Sequence, residues 1–565
     1  MSSGDEREEG QQPDGRSEST ADQQGEPGRS GDPGEPAIGA AREDTGQARR
    51  LAWSTAVFSV ATGGSRILGL FREILVRRYF GVEGPINAFT VAFQVPNLIR
   101  SLVADTALSA AFVPVFSEIL EKKDTARAWR VASTLLWLVL LGLGGVTALF
   151  ILAAPWIMRP FGYEADQHDL VVNLSRILFP IVVLLGLTGI VVGILNSYEH
   201  FTVPALSPIF WNVAIIVGLV VGVPRADSAD GKLYVYAGAV VVATVIQLLL
   251  PLPWLRGRDG QLRVAIDWRD PAIKRVFTLM VPVTLGIGLI NFNLVINTFF
   301  AARYIDPQLA PSAIDAAFRI YMLPQGMFSV AVTTVLFPSL SRLAARADMN
   351  AFRGMVSLGL RQIGFMLIPA SAVTAVLATP IVRLLYERGA FGPHETEVVA
   401  QALLAFAVGL TFNGTMLMLN RSFFSLQSPW IPTTVALGNL AFQVVLNAAL
   451  YRVGIWGIPL ATSLVNLAGT IALLVFVRRR LGRIEGRQTL DAYVRTTIAA
   501  VIAAATAYGS WYGLDNALGR SLGDQVLSVG LAVTAAAGVF LLGARILRIR
   551  ELDALLSLVR RSRTP

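Results

Sequence analysis

No cysteine occurs in the 565 residues, which excludes a disulfide framework, a thiol nucleophile and thiolate metal sites. Histidine is almost as scarce. His168, His200 and His394 are the three, and no two stand at a metal-ligand spacing. Charge is thin too: Asp, Glu, Lys and Arg make up 15% of the chain, against about a quarter in soluble proteins. Apolar residues fill the gap, at 53% of the chain with a mean hydropathy of +0.56. Apolar runs of the roughly 20 residues needed to cross a bilayer recur from residue 51 to residue 548. They leave no room for a sizeable soluble domain. The composition therefore predicts an all-α polytopic membrane protein of about fourteen spans. The formal charge of +9 does not call for nucleic acid, because the basic residues lie in short loops where membrane topology accounts for them.

Residues 1–50 contain no aromatic residue and are rich in Gly, Glu, Asp, Gln, Ser and Pro, so the expectation is a disordered cytoplasmic tail. It does not read as a signal peptide, because the first apolar run carries Arg66 and Arg72. The spans begin at 51–78 and end at 526–547, with single spans expected over 86–117, 170–196, 312–341 and 357–385. Lys122, Lys123, Arg127 and Arg130 follow the second span, and Arg256, Arg258, Arg263, Arg269, Lys274 and Arg275 follow the sixth. Arg342, Arg346 and Arg353 follow the eighth, and Arg478, Arg479, Arg480, Arg483 and Arg487 follow the twelfth. The alternate loops carry Glu83, Glu164, Asp166, Asp169 and Asp306 instead. The positive-inside rule then puts the basic loops and both termini in the cytoplasm.

The chain also repeats itself at an offset of 224 residues: Phe112-Val-Pro114-Val-Phe-Ser117 matches Leu336-Phe-Pro338-Ser-Leu-Ser341, Leu195-Asn196 matches Leu419-Asn420, and Pro208 matches Pro432. Six spans per unit make the halves parallel. The expected domains are an N-lobe over 51–254, a C-lobe over 272–477, two further helices over 491–547 and a basic cytoplasmic terminus over 548–565. The two lobes would rock about a central cavity.

Arginine at the centre of a span costs roughly 2.5–3.5 kcal/mol, so each one needs a partner or a watered cavity. Arg66 and Arg72 fall in the first span, Arg100 in the second, Arg319 in the eighth and Arg361 in the ninth, while Glu73, Asp105 and Asp315 are the main acids available. Structural readings exist for several: Arg72 can pair with Asp105, Arg361 can snorkel to the cytoplasmic surface, and Arg77 and Arg78 suit interfacial anchors. The remaining surplus of guanidinium points to an anionic, phosphate-bearing ligand, which guanidinium binds bidentately. Pro96 near Arg100, and Pro324 and Gly326 near Arg319, predict bent helices along the cavity.

Ser65-Arg66-Ile-Leu-Gly69-Leu-Phe-Arg72-Glu73, Phe80-Gly81, Asn87-Ala88-Phe89, Phe93-Gln-Val-Pro96-Asn97-Leu98-Ile-Arg100 and Ala111-Phe112-Val-Pro114 together resemble the amino-terminal signature of the MurJ/MviN lipid II flippases. The likeness continues through Ile194-Leu-Asn196, Pro204 and Pro208, Phe318-Arg319, Leu323-Pro324-Gln-Gly326 and Leu385-Tyr386-Glu-Arg388-Gly389-Ala-Phe391. It covers nearly the whole chain after the tail. The resemblance implies a transporter of the MOP superfamily in the bacterial inner membrane. Such a protein flips the undecaprenyl-pyrophosphate-linked peptidoglycan precursor by alternating access, and so serves cell-wall biogenesis and cell shape. It further implies that Arg66, Arg72 and Arg319 hold the pyrophosphate or adjacent sugar, that Arg100 acts in gating, and that the last two helices form a groove for the polyprenyl tail. Asn87 stands where the family usually has aspartate, and Phe318 where it has aspartate or asparagine. Asp105 stands where it commonly has glutamate, which would allow an inner salt bridge, and Glu73 belongs to the same cavity.

A flippase for another polyprenyl-pyrophosphate glycan of the O-antigen type would use the same arginine cavity. A non-transporting scaffold differs in not needing Arg319. A cation antiporter would hold paired intramembrane carboxylates, and this chain has more arginines than acids in its spans. A membrane enzyme would need an acid cluster or nucleophile in a substantial loop, and no loop supplies one. No cofactor is expected. Na+ or H+ coupling is compatible with the residues, and so are cell-wall synthesis proteins as partners.

Overall fold

The computed structural model describes residues 61, 63–103, 107–258, 260–482 and 486–552. The expected tail over 1–50, Asp105 and most of the basic carboxyl terminus lie outside them. Helices make up the architecture, and no strand occurs among the described residues. In chain order they are α1 (63–80), α2 (Ile86–Val103), α3 (Ala107–Glu121), α4 (Thr125–Met158), α5 (Ala165–Leu178), α6 (Ile181–Ser197), α7 (Thr202–Val217), α8 (Ala229–Leu249) and α9 (Pro271–Phe300). Then come α10 (Ala310–Pro324), α11 (Val330–Ala345), α12 (Met349–Val376), α13 (Ala378–Tyr386), α14 (Pro393–Ser425), α15 (Trp430–Leu450), α16 (Gly457–Leu481), α17 (Gly486–Leu518) and α18 (Leu522–Ile546). Eleven helical stretches among the described residues are long and apolar enough to cross a membrane.

Three spans read as single helices each form a pair, and proline accounts for each break. Pro180 separates α5 from α6. Pro380 would set its ring against the carbonyl of Val376, where α12 ends. Pro324 closes α10, and a π-helical turn, Gln325–Ser329, carries the chain into α11. By contrast, α2 runs through Pro96 without interruption. The helix starts at the basic-loop end share one device: Asp124, Asp270 and Asp348 each accept a backbone N–H of the first turn of α4, α9 and α12. Asp270 also binds Arg127 at 3.0 Å, and that hydrogen bond holds its carboxyl below the usual carboxylate range.

Buried side chains gather into three cores. The first draws on α1 to α9, the second on α10 to α16, and the third on α12, α17 and α18. Ala272, Ile273 and Val276 place the basic-loop end of α9 in the first core, while Asn297 near its far end meets α15 and α16. In the third core Ala499, Ala500, Ala503 and Ala507 of α17 share a buried cluster with Ala532, Ala536 and Ala544 of α18, the small-residue packing that lets helices approach closely in lipid. Large apolar side chains face outward instead, among them Leu149, Leu152, Trp156, Val335, Val445 and Ile546. Such a surface suits hydrocarbon rather than water.

α14 packs against α16 through a glycine. A Cβ on Gly409 would stand 2.7 Å from the Ser463 Cα, a contact that only backbone movement relieves. Gly409→Ala is therefore expected to destabilise the fold by about 1–3 kcal/mol, read as a lowered melting temperature in detergent, with Gly438→Ala, where no atom lies within 4 Å, as the neutral comparison.

Candidate substrate site

α1 and α10 each carry an acid four residues before an arginine, Glu73 with Arg77 and Asp315 with Arg319. That spacing puts each pair on one helix face with the acid toward the amino end, the favourable order. In the structure the two faces meet. Arg77 Nη2 lies 2.8 Å from Glu73 Oε1 and 3.0 Å from Asp315 Oδ2, and its Nη1 donates to Ser312 Oγ. Arg319 Nε lies 2.9 Å from Asp315 Oδ2 and 3.2 Å from Glu73 Oε1. Glu73 and Arg77 are buried, whereas the Arg319 side chain is 39% exposed. One end of the network is thus sealed in the protein and the other opens into accessible space.

Arg72 turns to the other side of α1. It donates to Asn212 Oδ1 at 3.2 Å, lies 4.9 Å from the Trp211 ring centroid and approaches Glu73 at 3.8 Å. Its Nε is a buried donor with no protein acceptor. Arg66 is exposed, and its Nη1 reaches the carbonyl of Gly326 at 3.4 Å, in the π-helical turn between α10 and α11. A Cβ on Gly326 would stand 3.3 Å from that nitrogen, so the small residue admits the guanidinium. Arg66, Arg72 and Arg319 are therefore gathered around the α1–α10 contact. Arg100 lies on α2, its Nε and Nη2 donating to Asn97 Oδ1 at 3.1 and 2.8 Å.

At the end opposite the basic loops, the same two halves are latched by hydrogen bonds. Asn87 Nδ2 donates to the carbonyls of Val82, Gly84 and Gln308, while its Oδ1 accepts the Ser312 N–H at 2.8 Å. Glu395 of α14 caps its own helix by accepting the Gly392 N–H at 2.6 Å, and its other oxygen accepts Val82 N–H and Glu83 N–H at 2.7 and 3.1 Å. The Ala390 N–H donates to the Arg78 carbonyl at 2.9 Å. Gly81 and Gly389 have φ of +63° and +65°, and a Cβ on either would come within 2.4 Å of the opposing segment. Val82, from the α1–α2 turn, is fully buried in the second core.

A profile of the family described as lipid II flippase MurJ matches residues 76–518. The chain belongs to the MurJ family. Lipid II flippase MurJ of Burkholderia cenocepacia is 32% identical over 431 residues, 74% of this chain and 81% of that one. A probable lipid II flippase MurJ of Synechocystis is 28% identical over 522 residues, 90% and 96% of the two chains. Among solved structures, a lipid II flippase MurJ in an inward closed conformation superposes with a TM-score of 0.72 at 23% identity, covering 87% of this chain and 99% of that one. An inward-facing multidrug resistance MATE transporter of the MOP superfamily follows at 0.63 and 16% identity, covering 75% and 96%. These structural likenesses establish a MurJ/MATE-type transporter fold. The MurJ profile begins after Arg66, Arg72 and Glu73 and includes Arg77, Arg100 and Arg319.

Two sequence readings need correction against this MurJ-type frame. Arg77 is no interfacial anchor: it is 2% exposed and joins α1 to α10. Its position four residues after Glu73 was the available signal. Arg361 does not snorkel, because Glu551 beyond α18 reaches it at 2.8 Å and Ser357 accepts from it at 3.0 Å. The suggested partner of Arg72, Asp105, lies outside the described residues. Ser312, Trp211 and Asn212 carried no charge signal and were missed. Where MurJ relatives are expected to hold an acid, Asn87 both donates and accepts, which a carboxylate cannot do. Phe318 packs against Tyr321 and Phe406. A separate buried polar group joins α9, α15 and α16: Asn447 Nδ2 donates to Asn297 Oδ1 at 2.9 Å, and Gln443 Nε2 donates to Asn447 Oδ1 at 2.8 Å.

Proposed function

We propose that this chain moves lipid II, the polyprenyl-pyrophosphate-linked peptidoglycan precursor, from the inner to the outer leaflet of the bacterial cytoplasmic membrane by alternating access, without chemical change to it. The observation that carries this reading is the charge balance at the α1–α10 contact. Among the described residues, Arg72, Arg77 and Arg319 face only Glu73 and Asp315 there, and Arg66 adds a fourth cation bound only to a carbonyl. An anionic headgroup completes that balance, and guanidinium is the group suited to phosphate. Arg66, Arg72 and Arg319 are the residues assigned to the pyrophosphate or adjacent sugar. Arg77 holds Glu73 and Asp315 in place, and Arg100 and Asn87 act at the gates. The basic-loop end faces the cytoplasm, as do both termini, so the Asn87–Glu395 latch closes the outer side. The alanine-lined α17–α18 pair receives the apolar tail.

The test is complementation of a flippase-depleted bacterium, with outer-leaflet lipid II assayed. Wild type is expected to restore flipping. Arg319→Ala, present in the membrane at wild-type level, is expected to reduce it roughly 10- to 100-fold, since hydrogen bonds to a charged group contribute about 1.5–3 kcal/mol. No rescue by a well-inserted wild type would overturn the lipid II assignment in favour of another polyprenyl-linked glycan, and full activity of Arg319→Ala would overturn the charge-based mechanism.

A further inference from the structure

The basic end of the α17–α18 hairpin carries a half-open cavity of about 490 Å³ lined by Arg495, Arg545, Arg548, Arg550, Ile549 and Leu552. Four guanidinium groups in one small cavity repel each other unless anions face them. Arg495 on α17 is held in place, 2.9 Å from Asp491 Oδ2 and donating to the Leu547 carbonyl at 3.0 Å. Arg545, Arg548 and Arg550 are exposed, and among the described residues their side chains have neither an ion pair nor a hydrogen-bond acceptor. The nearest acid in sequence, Glu551, is committed elsewhere: it is buried and pairs with Arg361 of α12, which pins the segment after α18.

The backbone points the same way. Arg548 has φ +52°, and the following Ile549 N–H donates to the Ala544 carbonyl at 2.9 Å, closing the helix end. Glycine is the unstrained residue for a left-handed helix terminus. An arginine kept there puts its side chain at the cavity against a local cost.

Depth fixes the class of ligand. The 33 residues of α17 span roughly 50 Å at about 1.5 Å per residue, some 20 Å more than the roughly 30 Å hydrocarbon core. Arg495 comes nine residues after Gly486, or about 13 Å along the helix, which sets the cavity near the boundary between acyl chains and headgroups. Basic pockets between transmembrane helices at this level are suited to anionic lipid headgroups. We propose that Arg495, Arg545, Arg548 and Arg550 form a binding site for the phosphate of a membrane lipid headgroup, distinct from the α1–α10 arginines. The site takes that phosphate from an anionic phospholipid or from a lipid-linked pyrophosphate. It rests on the membrane-spanning fold and is independent of what the protein transports.

The experiment uses the full chain in nanodiscs of phosphatidylcholine with or without phosphatidylglycerol, read by native mass spectrometry and thermal melting. Wild type is expected to retain phosphatidylglycerol and to melt higher in its presence. Arg545→Gln combined with Arg548→Asn, the latter tolerant of a left-handed backbone, is expected to lower retention roughly tenfold or more, as loss of charge-assisted bonds implies. Its melting in pure phosphatidylcholine should equal that of wild type; if it does not, Arg550→Gln, at an exposed position, takes its place. Arg479→Gln with Arg480→Gln removes the same charge outside the cavity and is expected to change retention less than about twofold, as diffuse surface charge would. Sodium pyrophosphate added to phosphatidylcholine nanodiscs separates the sources: protection by pyrophosphate that the double variant loses, without phosphatidylglycerol retention, assigns the site to the pyrophosphate. Equal loss in the Arg479/Arg480 control, or neither ligand bound by wild type, overturns the proposal.

Discussion

Arg77→Met is expected to destabilise the protein by about 3–5 kcal/mol, the cost of leaving buried charge without its partner. Arg77 joins Glu73, Asp315 and Ser312 through its two terminal nitrogens and is 2% exposed. With methionine there, Glu73 and Asp315 face each other across the α1–α10 contact with Arg319 as their main remaining cation, and Arg319 is pulled from the cavity toward them. Flipping should therefore fall together with stability. Arg77→Lys keeps the charge but not the fork that serves three partners, and should fall between the two. Glu73→Gln added to Arg77→Met removes one stranded carboxylate and should recover part of the lost stability, because a buried ion pair replaced on both sides is often nearly neutral. Reversible unfolding of wild type, Glu73→Gln, Arg77→Met and the double variant closes a double-mutant cycle. A loss under about 1 kcal/mol for Arg77→Met would refute the role of Arg77 as the hub of the network.

The contrast between Arg77 and Arg319 shows what could be read in the sequence. Arg66, Arg72 and Arg319 interrupt apolar runs, and since lipid makes charge expensive they declare themselves in one dimension. Arg77 stands beside Arg78 near the end of its run, where the same rule permits an anchor. Only the third dimension shows that α10 covers it and leaves Arg78 exposed. The spans were legible because each is a long apolar run. The breaks at Pro180 and Pro380 were written in the sequence as well, but an apolar run continues across a break and hides it. The latch was not legible at all. Glu395 and Val82 are 313 residues apart, and a carboxylate that binds backbone N–H groups leaves no pattern in side-chain chemistry. Asn87 was noticed only as a departure from an expected aspartate, and its meaning comes from the three carbonyls and one N–H that converge on it. Ser312 joins latch and network, giving its N–H to Asn87 and accepting from Arg77 with its hydroxyl. A displacement of α10 at one site therefore bears on the other, as alternating access requires.

Glu395→Ala is expected to open the latch. Of the three N–H groups that its carboxylate accepts, Gly392 belongs to the same helix and is bound whichever way the halves stand, so only Val82 and Glu83 distinguish the latched state. Two lost bonds to a charged acceptor, at about 1.5–3 kcal/mol each, bias the equilibrium by roughly 3–6 kcal/mol toward opening, or about 150-fold or more. The absence of cysteine makes the measurement direct. Val82→Cys introduces a single thiol at a position with no exposure in the latched state, and a membrane-impermeant maleimide added from outside reads how often it is uncovered. Labelling should rise by an order of magnitude or more when Glu395→Ala is added. With Glu395→Gln it should rise less, because the amide oxygen still accepts from Val82 and Glu83 while its NH2 opposes the Gly392 N–H. Flipping should slow in both variants, since a transporter held open on one side seldom presents its arginines to the other. Labelling no faster in Glu395→Ala than in its parent would mean that Gly81, Gly389 and the Asn87 bonds keep the halves together without the carboxylate.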